Sequence, residues 1–153
     1  MDNIELEAIT LIGLSLSSKT TNANGQSGID CGALWQKFEK ANYAETITGK
    51  LSNEIVAVYH HYEGDHTKPF SYFIGMKVKP GADVSHDLKK MHIPKASYQK
   101  IVSRGKMPDC VANGWRQIWN STIPRAYRFD LEIYDDRSKD WNDAEVDIFV
   151  SVK

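Results

Sequence analysis

The stretch that decides the fold runs from Pro108 to Tyr134 and reads PDCVANGWRQIWNSTIPRAYRFDLEIY. Its first half predicts an amphipathic helix, whose apolar stripe is formed by Val111, Trp115, Ile118 and Trp119. Pro124 ends that helix, because proline lacks a backbone N–H and clashes with the preceding turn. The second half alternates like a strand and sets one carboxylate, Glu132, among hydrophobic and aromatic residues. An acid in this position indicates a functional site.

The rest of the chain repeats the same order of elements. Residues 4–17 predict a first strand, and a helix follows from about Ser27 to Ala44, because Cys31, Leu34, Trp35 and Phe38 fall on one face at helical spacing. EIVAVYHH and FSYFIGMKVK then predict a hairpin. In the second half IPKASYQKIVSRG predicts a strand before the helix, and two strands at 128–134 and 145–152 follow it.

This order predicts an internal repeat that spans approximately residues 4–80 and 91–153. We therefore expect an α+β fold of duplicated βαββ modules with pseudo-twofold symmetry, in one domain covering residues 1–153. The antiparallel sheets are expected to form a central groove, with the helices on the outer faces and the groove on the uncovered sheet faces.

Strand alternation predicts which side chains face the groove. The residues expected beneath the helices are Val146, Ile148, Val150 and Val152 of the last strand and Phe129, Leu131 and Ile133 of the preceding strand. Asp130, Glu132 and Tyr134 are then expected to point into the groove. On the last strand, Asp147 and Phe149 are expected on the face opposite the helices. The repeat aligns Ala57 with Glu132, so the predicted site is asymmetric and has one acid.

Composition excludes several classes of function. The 153 residues include 19 Lys plus Arg and 20 Asp plus Glu, without a long basic block that could follow a phosphate backbone. No apolar run approaches about 18 residues, and the acidic start MDNIELEAIT is unlike a secretory signal. We therefore expect a cytoplasmic protein, in which Cys31 and Cys110 are reduced thiols rather than a disulfide or a zinc site.

The segment YRFDLEIYDD, preceded by a helix ending in IW and followed by a valine-rich strand, resembles the GyrI-like small-molecule-binding domain. That fold is also the effector-binding domain of AraC- and MerR-type multidrug-sensing transcription regulators. The resemblance covers nearly the whole chain and is most specific between Ile93 and Val152. No helix-turn-helix segment precedes the domain, so we expect a stand-alone form without direct DNA binding.

The resemblance implies that Glu132 lies at the bottom of an aromatic pocket and pairs with a cationic or aromatic organic ligand. A desolvated carboxylate favours a cationic partner, and ring faces add about 0.5 to 2 kcal/mol of cation–π attraction. The expected ligand-binding residues are Glu132, Tyr134, Tyr59, Phe73, Tyr98, Trp115 and Phe149. Trp35 and Trp119 are expected in the core. We expect no cofactor, no metal, no catalytic residue and no membrane contact, and a protein partner or a homodimer stays open.

Four alternatives remain at this stage. Glu132 would face solvent if it paired with Lys100 or Arg128. His60, His61 and His66 cluster with two acids as metal ligands do, although adjacent strand residues point to opposite faces. Some GyrI-like proteins are hydrolases, and Glu132 would then activate a water. Gyrase-inhibitor members suggest a protein-interaction module, whose acidic loop DDRSKDWND would dock a basic partner.

Overall fold

A computed structural model describes residues 3–153 of the chain. Its strands are β1 (Ile4–Leu6), β2 (Ile9–Ser15), β3 (Ile55–His60), β4 (Ser71–Val78), β5 (Lys89–Ile93), β6 (Ala96–Gly105), β7 (Asp130–Tyr134) and β8 (Ala144–Ser151). Its α-helices are α1 (Gln26–Lys40), α2 (Tyr43–Thr46) and α3 (Asp109–Trp119). Of the helices in the described residues, none has the length and apolar content that crossing a bilayer demands.

All eight strands of the described chain form one antiparallel sheet in the order β1-β6-β8-β7-β3-β4-β2-β5. The first half of the chain supplies β1 to β4, and their counterparts in the second half are β5 to β8. If each strand is replaced by its counterpart, the same order results, read from the other end of the sheet. This agrees with the predicted pseudo-twofold arrangement. At the centre of the sheet the two halves meet where β3 pairs with β7, and Ala57 lies directly opposite Glu132 in that pairing.

The predicted first strand is two strands, because its two parts pair at opposite ends of the sheet. β1 pairs with β6, whereas β2 pairs with β4 and β5. Only residues 7–8 connect β1 to β2, and only residues 94–95 connect β5 to β6. Two such short links between the ends of one sheet require the sheet to curl.

The curl buries one face of the sheet in an inner apolar cluster, and the helices cover the other face. The inner cluster contains Leu11, Val56, Val58, Phe73, Ile93, Tyr98, Leu131 and Ile133. On the outer face, α1 covers a second apolar cluster through Leu34 and Phe38. Trp115 and Ile118 of α3 pack with Ile148 and Val150 of β8, as predicted from the alternation of that strand.

The groove lies on the helix-covered face, and the predicted facing of β7 is wrong. Glu132 pairs with Ile148 and therefore shares its face with α3, whereas Leu131 pairs with Phe149 and Ile133 with Asp147 on the inner face. The physical reason is that both faces of the curled sheet are covered. Four of the five β7 residues are buried, so hydrophobicity does not reveal which side the helices occupy.

Candidate functional site

The candidate site is built around the carboxylate of Glu132, whose residue is 1% exposed. Its Oε2 atom accepts hydrogen bonds from the Tyr59 hydroxyl at 2.7 Å and from the Trp115 indole Nε1 at 2.6 Å. Its Oε1 atom accepts a hydrogen bond from the Tyr134 hydroxyl at 2.6 Å. Because these donors come from β3, α3 and β7, both halves of the chain fix the position of the carboxylate.

The protonation of Glu132 reflects a balance between burial and hydrogen bonding. Burial raises the pKa of Glu132, the three donors lower it, and the net shift is upward from the ordinary value of 4.5. All three donors are neutral groups, and Glu132 forms no ion pair with any of residues 3–153. The site therefore contains a buried acid that has no counter-ion when it is ionised, and burial makes that ionisation unfavourable.

A cavity of about 520 Å³ adjoins Glu132 and is bordered by α1 and α3. Its aromatic lining consists of Trp35, Tyr59, Tyr62, Phe70, Tyr72, Trp115, Trp119 and Tyr134. The Trp35 and Tyr134 rings meet edge to face with centroids 4.8 Å apart. On the α1 side Gly28 and Gly32 line the cavity, and a Cβ atom at either position would meet no atom within 4 Å. These glycines widen the cavity.

The structure brings four of the predicted ligand-binding residues together, namely Glu132, Tyr134, Tyr59 and Trp115. The expectation that Phe73, Tyr98 and Phe149 share this site is corrected, because all three belong to the inner face of the curled sheet. Successive strand residues point to opposite faces, so Tyr72 rather than Phe73 reaches the cavity. Tyr98 and Phe149 instead line a separate inner cavity of about 400 Å³.

Sequence reasoning missed several cavity residues. Trp35 and Trp119 were expected in the core, yet both line the cavity, where Trp35 donates its indole N–H to the Tyr72 hydroxyl at 2.8 Å. His66 stacks on Trp119 with ring centroids 4.9 Å apart. Both tryptophans were visible in the sequence as members of apolar helical stripes. Such a stripe supplies core contacts as well as cavity contacts, so the pattern alone did not assign them to the cavity.

Arg125 and Asp130 form a buried ion pair beside the cavity, and sequence reasoning missed its role. Arg125 is 6% exposed, Asp130 is 0% exposed, and 2.8 Å separates Nη2 from Oδ2. The Arg125 guanidinium also lies over the Tyr127 ring, 4.3 Å from its centroid. Because Asp130 compensates the charge of Arg125, this arginine does not serve as the counter-ion of Glu132.

The other candidate chemistries find less support in the described residues. Cys31 and Cys110 are free, and burial and the charge of Glu132 raise the pKa of the Cys31 thiol, which lines the cavity. A raised pKa makes a thiol a poor nucleophile. Within residues 3–153, no group of three or more His, Cys, Asp or Glu is arranged to hold a metal ion.

A sequence comparison defines the family of this fold and site. The Cass2 family, described as integron-associated effector binding protein, matches residues 4–152, so the chain belongs to this family of effector-binding proteins. YobU of Bacillus subtilis (strain 168), which is named as a transcriptional regulator, is 23% identical over 125 residues. That match covers 79% of this chain and 78% of YobU.

Solved structures agree with the family assignment. The integron cassette protein VCH_CASS2 from the mobile metagenome of Vibrio cholerae is 26% identical, with a TM-score of 0.73 over 99% of this chain and 95% of that protein. SAV2435, solved bound to tetraphenylphosphonium, has a TM-score of 0.75 at 16% identity over 99% of this chain and 93% of that protein. The two matches show that the curled eight-stranded sheet is the effector-binding fold.

We expect Tyr134→Phe to raise the pKa of Glu132 further. The substitution removes a hydrogen bond that favours the charged carboxylate, whereas the burial that disfavours the charge is unchanged. The ionisation of Glu132, followed by NMR of its side-chain carboxyl carbon, then shifts to higher pH. Tyr43→Phe is the matched control, because Tyr43 donates to the exposed Asp87. A Glu132 titration that is unchanged in Tyr134→Phe would contradict the role given to this hydroxyl.

Proposed function

We propose that this chain binds lipophilic organic cations in the aromatic cavity and that Glu132 is their counter-ion. The observation that carries the proposal is the buried Glu132 carboxylate, which has three neutral donors and no cationic partner among residues 3–153. A bound cation supplies the missing charge. Membership of a family of effector-binding proteins supports a small-molecule ligand.

The cavity wall supports a cation with a large apolar surface. Tyr59, Trp115 and Tyr134 each contact the carboxylate through a polar atom and line the cavity with a ring. Ring faces attract cations by about 0.5 to 2 kcal/mol each, without strict directional demands. Tetraphenylphosphonium bound to SAV2435, a protein of the same fold, is a ligand of this chemistry.

The similarity to YobU and to the integron-associated family supports a role in regulation. We infer that ligand binding by this chain reports the presence of an organic cation to a transcriptional response. Because the carboxylate is already held by three donors before the ligand arrives, binding needs no rearrangement of the charged group. Preorganisation of this kind lowers the cost of binding.

The Glu132→Gln variant tests the counter-ion role. Glutamine fits the same space, since its oxygen can accept from Tyr59 and Trp115 while its amide donates to the Tyr134 hydroxyl oxygen. We expect tetraphenylphosphonium to bind about 1 to 3 kcal/mol more weakly, because the neutral amide loses the Coulomb attraction to the phosphonium, which is about 3 kcal/mol at about 6 Å and an effective dielectric constant of about 20. Isothermal titration calorimetry at pH 7.5 measures the difference. Equal affinity of both proteins would exclude the counter-ion role.

The same variant has the opposite effect on the ligand-free protein. The pKa of Glu132 is higher in the folded protein than its ordinary value of 4.5. Its ionisation therefore lowers the stability of the folded protein as the pH rises through the folded pKa. Glutamine does not titrate, so the ligand-free variant is expected to be the more stable protein at neutral pH. Thermal unfolding at pH 4 and pH 7.5 checks the sign, because the advantage of Glu132→Gln must be larger at pH 7.5.

A further inference from the structure

Two glycines of α1 lie on the face of the helix that borders the cavity. Gly28 and Gly32 share this face with Cys31 and Trp35, because the four positions follow helical spacing, and all four line the cavity. Gly28 is exposed and Gly32 is half-buried, so both reach open space. A Cβ atom at either position would meet no atom within 4 Å. The absence of a side chain at these positions therefore does not serve contact between α1 and the rest of residues 3–153.

Gly114 of α3 shows the different setting of a glycine that serves packing. A Cβ atom at Gly114 would lie 1.9 Å from the Ser103 Oγ atom and 3.0 Å from the Ile148 Cδ1 atom, so α3 approaches the sheet closely because this residue is glycine. Glycine makes a helix less stable than alanine does, and close packing accounts for its presence here. In the described part of the chain, no such contact accounts for Gly28 and Gly32.

The corresponding face of the α3 segment carries larger side chains. The helices occupy matching places in the two halves, and they can be aligned on Trp35 and Trp115, which both line the cavity. The matched pairs are then Gly28 with Pro108 and Gly32 with Ala112, and all four residues line the cavity. The cavity is therefore left open on the side of α1, where the backbone itself forms part of the wall.

We propose that Gly28 and Gly32 determine the size of the ligand, because they admit a bulky cation that lays an aromatic arm against the α1 backbone while its charge faces Glu132. Glycine suits this role, since a ligand can approach the backbone closely where no Cβ atom is present. The buried carboxylate of Glu132 lines the same cavity and defines the site independently of the glycines. This inference rests on the proposed function and narrows the ligand class to cations with several aromatic arms.

The double variant Gly28→Leu/Gly32→Leu tests the inference with two cations of equal charge. Tetraphenylphosphonium carries a phenyl arm at each position of the phosphorus, whereas trimethyl(phenyl)phosphonium replaces all but one of these arms with methyl groups. We expect the affinity for the larger cation, divided by that for the smaller one, to fall about tenfold, because leucine occupies space that the additional arms need. NMR titration measures both affinities. An unchanged ratio would overturn the inference.

Two controls separate ligand size from a general disturbance of α1. Ala33→Leu adds leucine to the same helix at an exposed position outside the cavity lining, and it is expected to change the ratio by less than about twofold. Without ligand, the double variant should unfold at the same temperature as the wild type or higher, because leucine is the better helix former and meets open space. A lower unfolding temperature would show that the glycines serve packing and would overturn the inference, as would a tenfold change of the ratio in Ala33→Leu.

Glu132→Gln separates this inference from the proposed function. It removes the charge that attracts both cations, so it should weaken both by a similar factor and leave their ratio nearly unchanged. If neither cation binds the unmodified protein, the proposed function fails, and the uncharged pair triphenylmethanol and benzyl alcohol then tests the glycines alone. A selective loss of triphenylmethanol in the double variant would support the size role without the counter-ion. Equal effects on the two alcohols, or binding of neither, would overturn both.

Discussion

Asp130→Asn is expected to lower the free energy of unfolding by about 3 to 5 kcal/mol, because it removes one partner of a fully buried ion pair. Arg125 stays 6% exposed after the change, and its charge then has no carboxylate partner. Both Ser151 donors bond to Oδ1, so the oxygen of the introduced amide keeps that position, and its NH2 group then faces the Arg125 and Tyr62 donors that Oδ2 accepts from. Urea unfolding followed by circular dichroism measures the loss, with an unchanged dependence on urea concentration.

Asp147→Asn is the matched control, since it also removes a carboxylate from an ion pair within the sheet. Its partners Arg137 and Lys100 are 40% and 37% exposed at the side chain, and Arg137 also contacts Asp135 and Glu145. Exposed pairs contribute about 0 to 1 kcal/mol, so this variant is expected to lose less than about 1 kcal/mol. A loss of stability in Asp130→Asn within that same range would contradict the cost assigned to breaking the buried Arg125–Asp130 pair.

Gly13→Ala is expected to destabilise the fold by about 3 kcal/mol, near the upper end of the cost of overpacking. A Cβ atom at this position would lie 1.9 Å from the carbonyl oxygen of Ile74 and 2.5 Å from the Cα of Gly75. Both contacts are backbone atoms of β4, so relief requires β2 and β4 to separate. The two glycines face each other in the β2–β4 pairing, and each makes room for the other strand.

Gly32→Ala provides the control of opposite sign. Gly32 lies in α1, and a Cβ atom there would meet nothing within 4 Å. Alanine in a helix interior is about 0.5 to 1 kcal/mol more favourable than glycine. Thermal unfolding should therefore rank Gly32→Ala above the wild type and Gly13→Ala well below it. A Gly13→Ala protein as stable as the wild type would show that the two strands can separate at little cost.

Local patterns in the sequence were enough to predict the main helices and most of the strands. The stripe of Trp115 and Ile118 predicted α3 and its packing on Ile148, because a helix on a sheet buries one face. The facing of Leu131 and Ile133 was wrong for a reason that lies outside the local pattern. The sheet curls and buries its second face, so apolar residues occur on both sides of β7.

The candidate site was also predicted only in part. Glu132 was recognisable because an acid stands between the apolar residues Leu131 and Ile133. The predicted ring residues Tyr59, Tyr134 and Trp115 all reach its carboxylate. The Arg125–Asp130 pair was not predicted, because a charged residue in the chain gives no sign of burial until its partner is known. Pairing across the sheet decides such positions, and a single sequence does not contain that pairing.

The exchange of end strands between the two halves has a topological consequence. β1 belongs to the first half of the chain but pairs with β6, and β5 belongs to the second half but pairs with β2. Each half therefore pairs its first strand with a strand of the other half. A single cut in the backbone between β4 and β5 is therefore expected to leave both pieces held together by strand pairing, with the cavity beside Glu132 still between them.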